Sequence, residues 1–172
     1  QRIEIMIIWI IGLSGSGKTT LAEKVYRQSK KKNNALFFLD GDVVREVFNH
    51  DLGHELKDRK INASRMSQLS KYLDDQGISV VCSILSIFQS TRDWNRKNIK
   101  NYYEVFIDVD MEDLRKRDVK GIYKAFNDGR LNNVVGEDIK FTTPNNSDLV
   151  IDNNQSLDYL VSFTDQIVKK LT

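Results

Sequence analysis

Eight consecutive residues carry the clearest chemistry in this 172-residue chain: Gly12-Leu13-Ser14-Gly15-Ser16-Gly17-Lys18-Thr19 has the spacing G-x-x-x-x-G-K-[ST]. Glycines at 12, 15 and 17 let the backbone turn tightly, so that its N–H groups can approach phosphate oxygens. A helix starting at that point would aim its positive end at the same anion. Lys18 has the reach for β- and γ-phosphates, Thr19 supplies a hydroxyl suited to Mg2+, and Thr20 opens the helix beside them. The pattern predicts a nucleoside triphosphate site with Mg2+ as its metal.

A second group of polar residues follows at Leu39-Asp40-Gly41-Asp42. Two residues apart in extended chain, the carboxylates would point the same way. Asp42 would then face an acceptor hydroxyl as base or orienting group, and Asp40 the outer shell of the metal. The competing reading is that both cap a turn or the next helix. Arg45 falls one helical turn after Asp42 and would face the same cleft. Asp58, Arg59, Asn62 and Arg65 form another polar cluster, in which the planar fork of Arg59 suits a phosphate or sulfate group.

These groups need a frame that brings them to one edge. Apolar, β-branched or aromatic runs recur at Ile3 to Ile11, Ala35 to Leu39, Ile78 to Ile84, Tyr103 to Val109 and Leu149 to Ile151. Helical patterns at Thr19 to Gln28, Lys60 to Asp75 and Met111 to Arg117 alternate with them. The alternation predicts one α/β domain over residues 1–172: three layers around a parallel sheet of about five strands. The stretch 118–146 is poor in apolar periodicity and reads as a mobile lid or substrate loop beyond the strand ends. From Ser156 onward, Leu157, Leu160, Val161, Ile167, Val168 and Leu171 predict one face of a closing helix.

Composition narrows the remaining classes. Lys and Arg number 26 against 24 Asp and Glu, a net charge of +2. That balance provides no basic field for nucleic acid, and Lys30-Lys31-Lys32 reads as a solvated helix end. The single cysteine, Cys82, lies in an apolar run and reads as a buried small hydrophobe in a reducing compartment. The first apolar run is too short for a membrane span, so a cytoplasmic protein with no membrane partner is expected. Gln1 to Ile5 reads as a terminus ahead of a start at Met6. His50 and His54 are separated by Gly53, which favours a loop over a metal-binding helix face; Trp9 and Trp94 read as packing residues.

Taken in order, the phosphate loop, Leu39-Asp40-Gly41-Asp42-Val43-Val44-Arg45, Asp51-Leu52-Gly53, Asp58-Arg59 with Asn62, and Arg117-Asp118-Val119-Lys120-Gly121-Ile122-Tyr123-Lys124 closely resemble the adenylylsulfate kinase family. The resemblance runs from about Ile7 to Asp152. It implies a P-loop kinase that uses MgATP to phosphorylate the 3′-hydroxyl of adenosine 5′-phosphosulfate in sulfate assimilation, with a small nucleotide as partner and a homodimer as an option. It also implies that Arg45, Arg59 and Asn62 contact the acceptor and that the Ser86 region lines its pocket. Arg117, Lys120 and Lys124 would sit on the lid. A regulatory module that binds ATP without catalysis is the reading from another class, and the acceptor-side carboxylate Asp42 argues against it.

Three departures fall on the acceptor side. The family has a phenylalanine after Asp-Leu-Gly where this chain has His54, and Phe-Thr-Gly-Ile-Asp where it has Val134-Val135-Gly136-Glu137-Asp138. Those phenylalanines sandwich the acceptor adenine. Stacking on one aromatic face is worth about 1 to 3 kcal/mol, so one lost platform corresponds to roughly tenfold to a hundredfold in affinity. Leu85-Ser86-Ile87-Phe88-Gln89 replaces Ile-Ser-Pro-Tyr-Arg and removes a cation. The Asn133-Val134-Val135-Gly136 version is similar to the cytidine diphosphoramidate kinases, relatives that phosphorylate a cytidine nucleotide for bacterial capsule modification. A pyrimidine demands less of a two-sided aromatic clamp.

Overall fold

The computed structural model describes residues 4–172. Five strands form one parallel sheet: β1 (Ile7–Ile11), β2 (Leu36–Asp40), β3 (Ser79–Ile84), β4 (Tyr102–Asp108) and β5 (Leu149–Asp152), in the order β2-β3-β1-β4-β5. The start of the first apolar run, Ile3, lies outside the described residues, as do the first residues of the expected terminus.

β1 is the central strand, and all five of its residues are buried. It pairs in parallel with β3, Ile7 opposite Val80, and with β4, Ile7 opposite Tyr102. Alternation sends Ile8 and Ile10 to one core and Ile7, Trp9 and Ile11 to the other. A strand buried on both faces has no polar side to show, which is why the sequence there is continuously apolar.

On the first face pack α1 (Lys18–Lys30), α7 (Leu157–Val161) and α8 (Thr164–Val168), with Leu21, Ala22 and Val25 of α1 fully buried. On the second pack α3 (Leu56–Asp75) and α4 (Gln89–Asn98); Trp9 is wholly enclosed there and donates its indole N–H to Ser70 Oγ at 3.0 Å. Cys82 is buried in the same core, where desolvation pushes its thiol well up. Trp94 lies half-buried on α4. Short helices α2 (Gly41–Val47), α5 (Met111–Arg117) and α6 (Ile122–Asn127) follow β2, β4 and the 118–121 turn. No described helix is long and apolar enough to cross a membrane.

One expectation differs from the fold, and one segment holds structure that its sequence does not announce. The closing helix is two helices, interrupted at Ser162–Phe163, and the break re-phases the apolar residues: Leu160, Ile167, Val168 and Leu171 are buried, but Leu157 is 59% exposed. The 118–146 segment contains α6 and buries Tyr123, Val134, Val135, Ile139 and Pro144. Its buried apolar residues lack a period because all but Tyr123 of α6 come from coil, where neither 3.6 nor 2 applies.

Candidate active site

The site lies beyond the strand C-termini, where the chain leaves central β1 between β3 and β4, a topological switch point. Gly12 is packed so tightly that a Cβ would fall 2.9 Å from the Ile107 carbonyl and 2.6 Å from Ser16 Oγ. Gly17 adopts φ 96° to start α1. α1 has neither a side-chain cap nor an acidic residue in its first turn, so its positive end stays open toward the cleft. Lys18 Nζ curls back to donate to the Leu13 carbonyl at 3.3 Å. Desolvation, reinforced by the charge of Lys120, lowers its pKa from 10.5 to about 8. Thr19 Oγ1 is 3.3 Å from Ser83 Oγ at the end of β3, and Thr20 is exposed in the first turn of α1.

Side chains distant in sequence brace the loop. Tyr123 on α6 donates its hydroxyl to the Ser14 carbonyl at 2.7 Å, and Asn153 Nδ2 donates to the Ser16 carbonyl at 2.8 Å. Arg117 donates to the Asn153 carbonyl. Arg117 therefore stands behind the phosphate loop and outside the main cavity.

That cavity, about 350 Å³, is bounded by Ser14, Lys18 and Thr19 on one side and by Asp42, Arg45, His54, Arg59, Asn62, Lys120 and Val134 on the other. Asp40 and Asp42 do not share an extended strand. Asp40 closes β2 and caps α2, its Oδ1 accepting from the N–H groups of Asp42 (2.9 Å) and Val43 (3.2 Å). Asp42 sits in the first turn of α2, and its Oδ2 accepts from Lys120 Nζ at 2.5 Å. Partial burial works to raise the Asp42 pKa, but the Lys120 hydrogen bond and the charges of Lys120, Lys18 and Arg45 outweigh it and hold the carboxyl below its usual range.

Arg45 is 9% exposed and Arg59 half-buried. Both guanidinium groups bind main-chain carbonyls: Arg45 NH1 donates to Leu52 (3.1 Å) and Gly53 (3.0 Å), Arg59 Nε to His54 (2.8 Å) and Arg59 NH2 to Asn133 (2.8 Å). Arg65, Arg92, Arg96, Arg115 and Arg130 pair with carboxylates. Among the described residues Arg45 and Arg59 do not, so their charge stays open to an anion in the cleft. Burial, then the neighbouring Arg45 charge, lowers the Arg59 pKa. Asn62 is 6% exposed, and its Oδ1 is buried with no protein partner. His54 is exposed at the cavity rim, where desolvation and the charges of Arg45 and Arg59 lower its pKa and favour neutral imidazole. Val134 is 3% exposed, its N–H donating to Asp138 Oδ1 at 2.7 Å.

Two expected residues lie elsewhere. Ser86 turns away from the cavity, and its hydroxyl and carbonyl accept from the buried Arg92 at 3.0 and 2.9 Å; its neighbours Leu85, Ile87 and Phe88 form the wall instead. Lys124 pairs with Asp128, the residue that closes its helix, at 2.9 Å and does not line the cavity. Four contributors were given no role from the sequence: Ser83, Tyr123, Asn133 and Asn153. Ser83, next to last in β3, and Asn153, just past β5, follow the rule that sites collect at the C-terminal ends of parallel strands, and that rule could have found them. Tyr123 and Asn133 lie inside the family motifs at 117–124 and 133–136, but nothing local marks their partners, Ser14 and Arg59.

Comparison with known proteins agrees with this architecture. Residues 4–152 match the adenylylsulphate kinase family. A cytidine diphosphoramidate kinase of Campylobacter jejuni is 42% identical over 165 residues, covering 96% of this chain and 95% of its own. An adenylyl-sulfate kinase of Halothermothrix orenii is 38% identical over 142 residues, covering 83% and 77%. The solved Mycobacterium tuberculosis APS kinase, in complex with AMPPNP and APS, superposes with a TM-score of 0.86 at 31% identity, covering 99% of both chains. From its phosphate loop to its fifth strand, the chain belongs to the adenylylsulphate kinase family and is an ATP-dependent phosphotransferase.

Proposed function

We propose that this enzyme transfers the γ-phosphoryl group of ATP to the ribose 3′-hydroxyl of a cytidine nucleotide with an anionic tail, cytidine diphosphoramidate. The observation that carries this reading is the pair of residues at the base-clamp positions. His54 stands at the cavity rim and Val134 is buried in its wall, where the family places two phenylalanines. One imidazole and one small aliphatic side chain suit a single-ring base better than a purine held between two aromatic faces. The full-length similarity to the Campylobacter jejuni enzyme supports the same choice. Adenosine 5′-phosphosulfate is the second reading, favoured by the close superposition on an APS-bound kinase.

Each group has a role in transfer. The main chain of Gly12 to Gly17 and the open start of α1 would cradle the triphosphate, with Lys18 set against the charge that develops on transfer. The hydroxyls of Thr19 and Ser83 and the carboxylate of Asp40 are hard oxygen donors, which fit magnesium; Thr19 would hold it directly and Asp40 from the outer shell. When bound, the metal neutralises β- and γ-phosphate charge. The acceptor oxygen bonds to the γ-phosphorus as the bond to the β-bridging oxygen breaks, ADP leaves, and the hydroxyl proton passes to Asp42 or through it to water. A carboxyl held below its usual pKa is a weak base, so orientation of the hydroxyl is the larger part of its work. Arg45 and Arg59 would bind the anionic tail, Asn62 Oδ1 would accept from an acceptor N–H or O–H, and 118–146 would act as a lid bearing Lys120. Arg117 and Lys124 act, in this reading, by bracing the loop and α6. The chain is proposed to work as one cytoplasmic domain, and exposed Val43 and Val47, one turn apart on α2, offer apolar surface for a homodimer.

The test is ADP release with MgATP and each acceptor, with Lys18→Ala protein as blank. Cytidine diphosphoramidate should be preferred in kcat/KM. Efficient turnover of adenosine 5′-phosphosulfate with none of the cytidine compound would reject the proposal in favour of the second reading.

A further inference from the structure

The loop that presents His54 has almost nothing hydrophobic to hold it. Between α2 and α3, Asp51, Gly53, His54 and Glu55 are exposed, and Leu52 is half-buried. Asn49 and His50 take left-handed backbone, φ 54° and 51°, so the chain turns sharply just before it. A segment with little apolar burial keeps one conformation only through polar contacts. Here three successive carbonyls, of Leu52, Gly53 and His54, each accept from a guanidinium: the first two from Arg45, the third from Arg59. Arg65 grips Asp51 with two hydrogen bonds at 3.1 and 2.8 Å, and Asp58 Oδ2 takes the Gly53 N–H at 3.0 Å.

Arg59 also reaches across the cleft. Its NH2 donates to the carbonyl of Asn133, 74 residues along the chain and directly before Val134. Asn133 is left-handed at φ 59°, and Asp138 holds the N–H groups of Asn133 and Val134 at 2.8 and 2.7 Å. One side chain thus joins the loop bearing His54 to the turn bearing Val134. These bonds leave donors free, since a guanidinium has five N–H groups and Arg45 and Arg59 each use two.

We propose that Arg45 and Arg59 are positioning residues for base selection as well as anion ligands: Arg59 sets the gap between His54 and Val134, and Arg45 sets the orientation of the loop that carries His54. Base recognition and tail recognition are then coupled through the same two side chains. This rests on the acceptor-cleft reading above. Lysine cannot replace Arg59 in this role, because a single ammonium keeps the charge without the rigid fork that spans two loops.

Hydrogen–deuterium exchange on the nucleotide-free Arg59→Lys and Arg45→Lys proteins reads the clip without any acceptor. In Arg59→Lys, amides in 52–56 and 132–136 should exchange faster together, by about tenfold for loss of one charged hydrogen bond, while 79–84 in β3 stays protected. In Arg45→Lys only 52–56 should change. An unchanged pattern, or protection lost evenly across the sheet, overturns the clip. With acceptors, Arg59→Lys should lower the ratio of kcat/KM for the preferred nucleotide over the other by about tenfold. A mere anion ligand would lower both equally, and a ratio unchanged from the native enzyme overturns the role in selection. If the native enzyme turns over neither acceptor, the acceptor proposal fails, and the exchange result still decides the clip.

Discussion

The donor and acceptor sides of this cleft are built by different means. The donor side is one run of backbone, Gly12 to Thr19, placed by a strand buried on both faces and a helix whose positive end is open. The acceptor side is a set of side chains from α2, the 48–55 loop, α3 and the 118–146 segment, joined by hydrogen bonds of which two, Arg59 to Asn133 and Lys120 to Asp42, link residues far apart in sequence. A backbone cradle recognises any triphosphate and tolerates little change; an assembly of side chains can be retuned residue by residue. The departures from the family fall on the side that can be retuned.

The largest expected effect tests the donor side. Lys18→Met should lower kcat by about a thousandfold or more, the scale for removing a group that stabilises transition-state charge, as read by ADP release. The same substitution should stabilise the nucleotide-free protein at pH 7. With a folded pKa of about 8 against 10.5, Lys18 is charged at a cost below pH 8, and the unfolded chain holds the extra proton between these values. Stability therefore rises with pH across that window in the native protein, and the thermal-melting advantage of Lys18→Met should shrink from pH 7 toward pH 10. An equal advantage at both would mean that the amine is not desolvated.

Asp42→Asn joins the two sides and should have the next largest effect. A fall in kcat of roughly a hundredfold or more is expected for loss of a group acting on the nucleophile's proton, with ATP affinity by titration calorimetry nearly unchanged. If ATP affinity falls as far as turnover, Asp42 serves the donor side through Lys120 and Lys18, and the division drawn above fails.

The acceptor side alone is sharpened by His54→Phe with Val134→Phe. Restoring two aromatic platforms should move the kcat/KM ratio toward adenosine 5′-phosphosulfate by about tenfold to a hundredfold and leave KM for ATP as it was. Val134 is buried, so the second ring must displace wall residues, and a lowered melting temperature should accompany the gain. No change in the ratio would place base choice outside these two positions.

The same contrast governs what could be read without coordinates. The five strands fall within a residue or two of the apolar runs, apart from the early start of the first, because strands in a parallel sheet are apolar throughout. The phosphate loop is local, so its spacing is its geometry. α6 and the split between α7 and α8 were not legible, since short elements at a sheet edge are set by what they pack on. Arg59 was legible as a cation near an anion, yet its bond to the Asn133 carbonyl has no sequence signal.

By itself the sequence determined the triphosphate loop, the parallel sheet that carries it, the kinase family and the three positions where the acceptor side departs from that family. Only the tertiary structure decided that Asp40 caps a helix, that Lys120 meets Asp42, that Ser86 turns toward Arg92, and that Arg45 and Arg59 hold carbonyls and not carboxylates. Backbone motifs and burial patterns are written in neighbouring residues, whereas a side-chain hydrogen bond across 74 or 78 positions exists only once the sheet has brought its partners together.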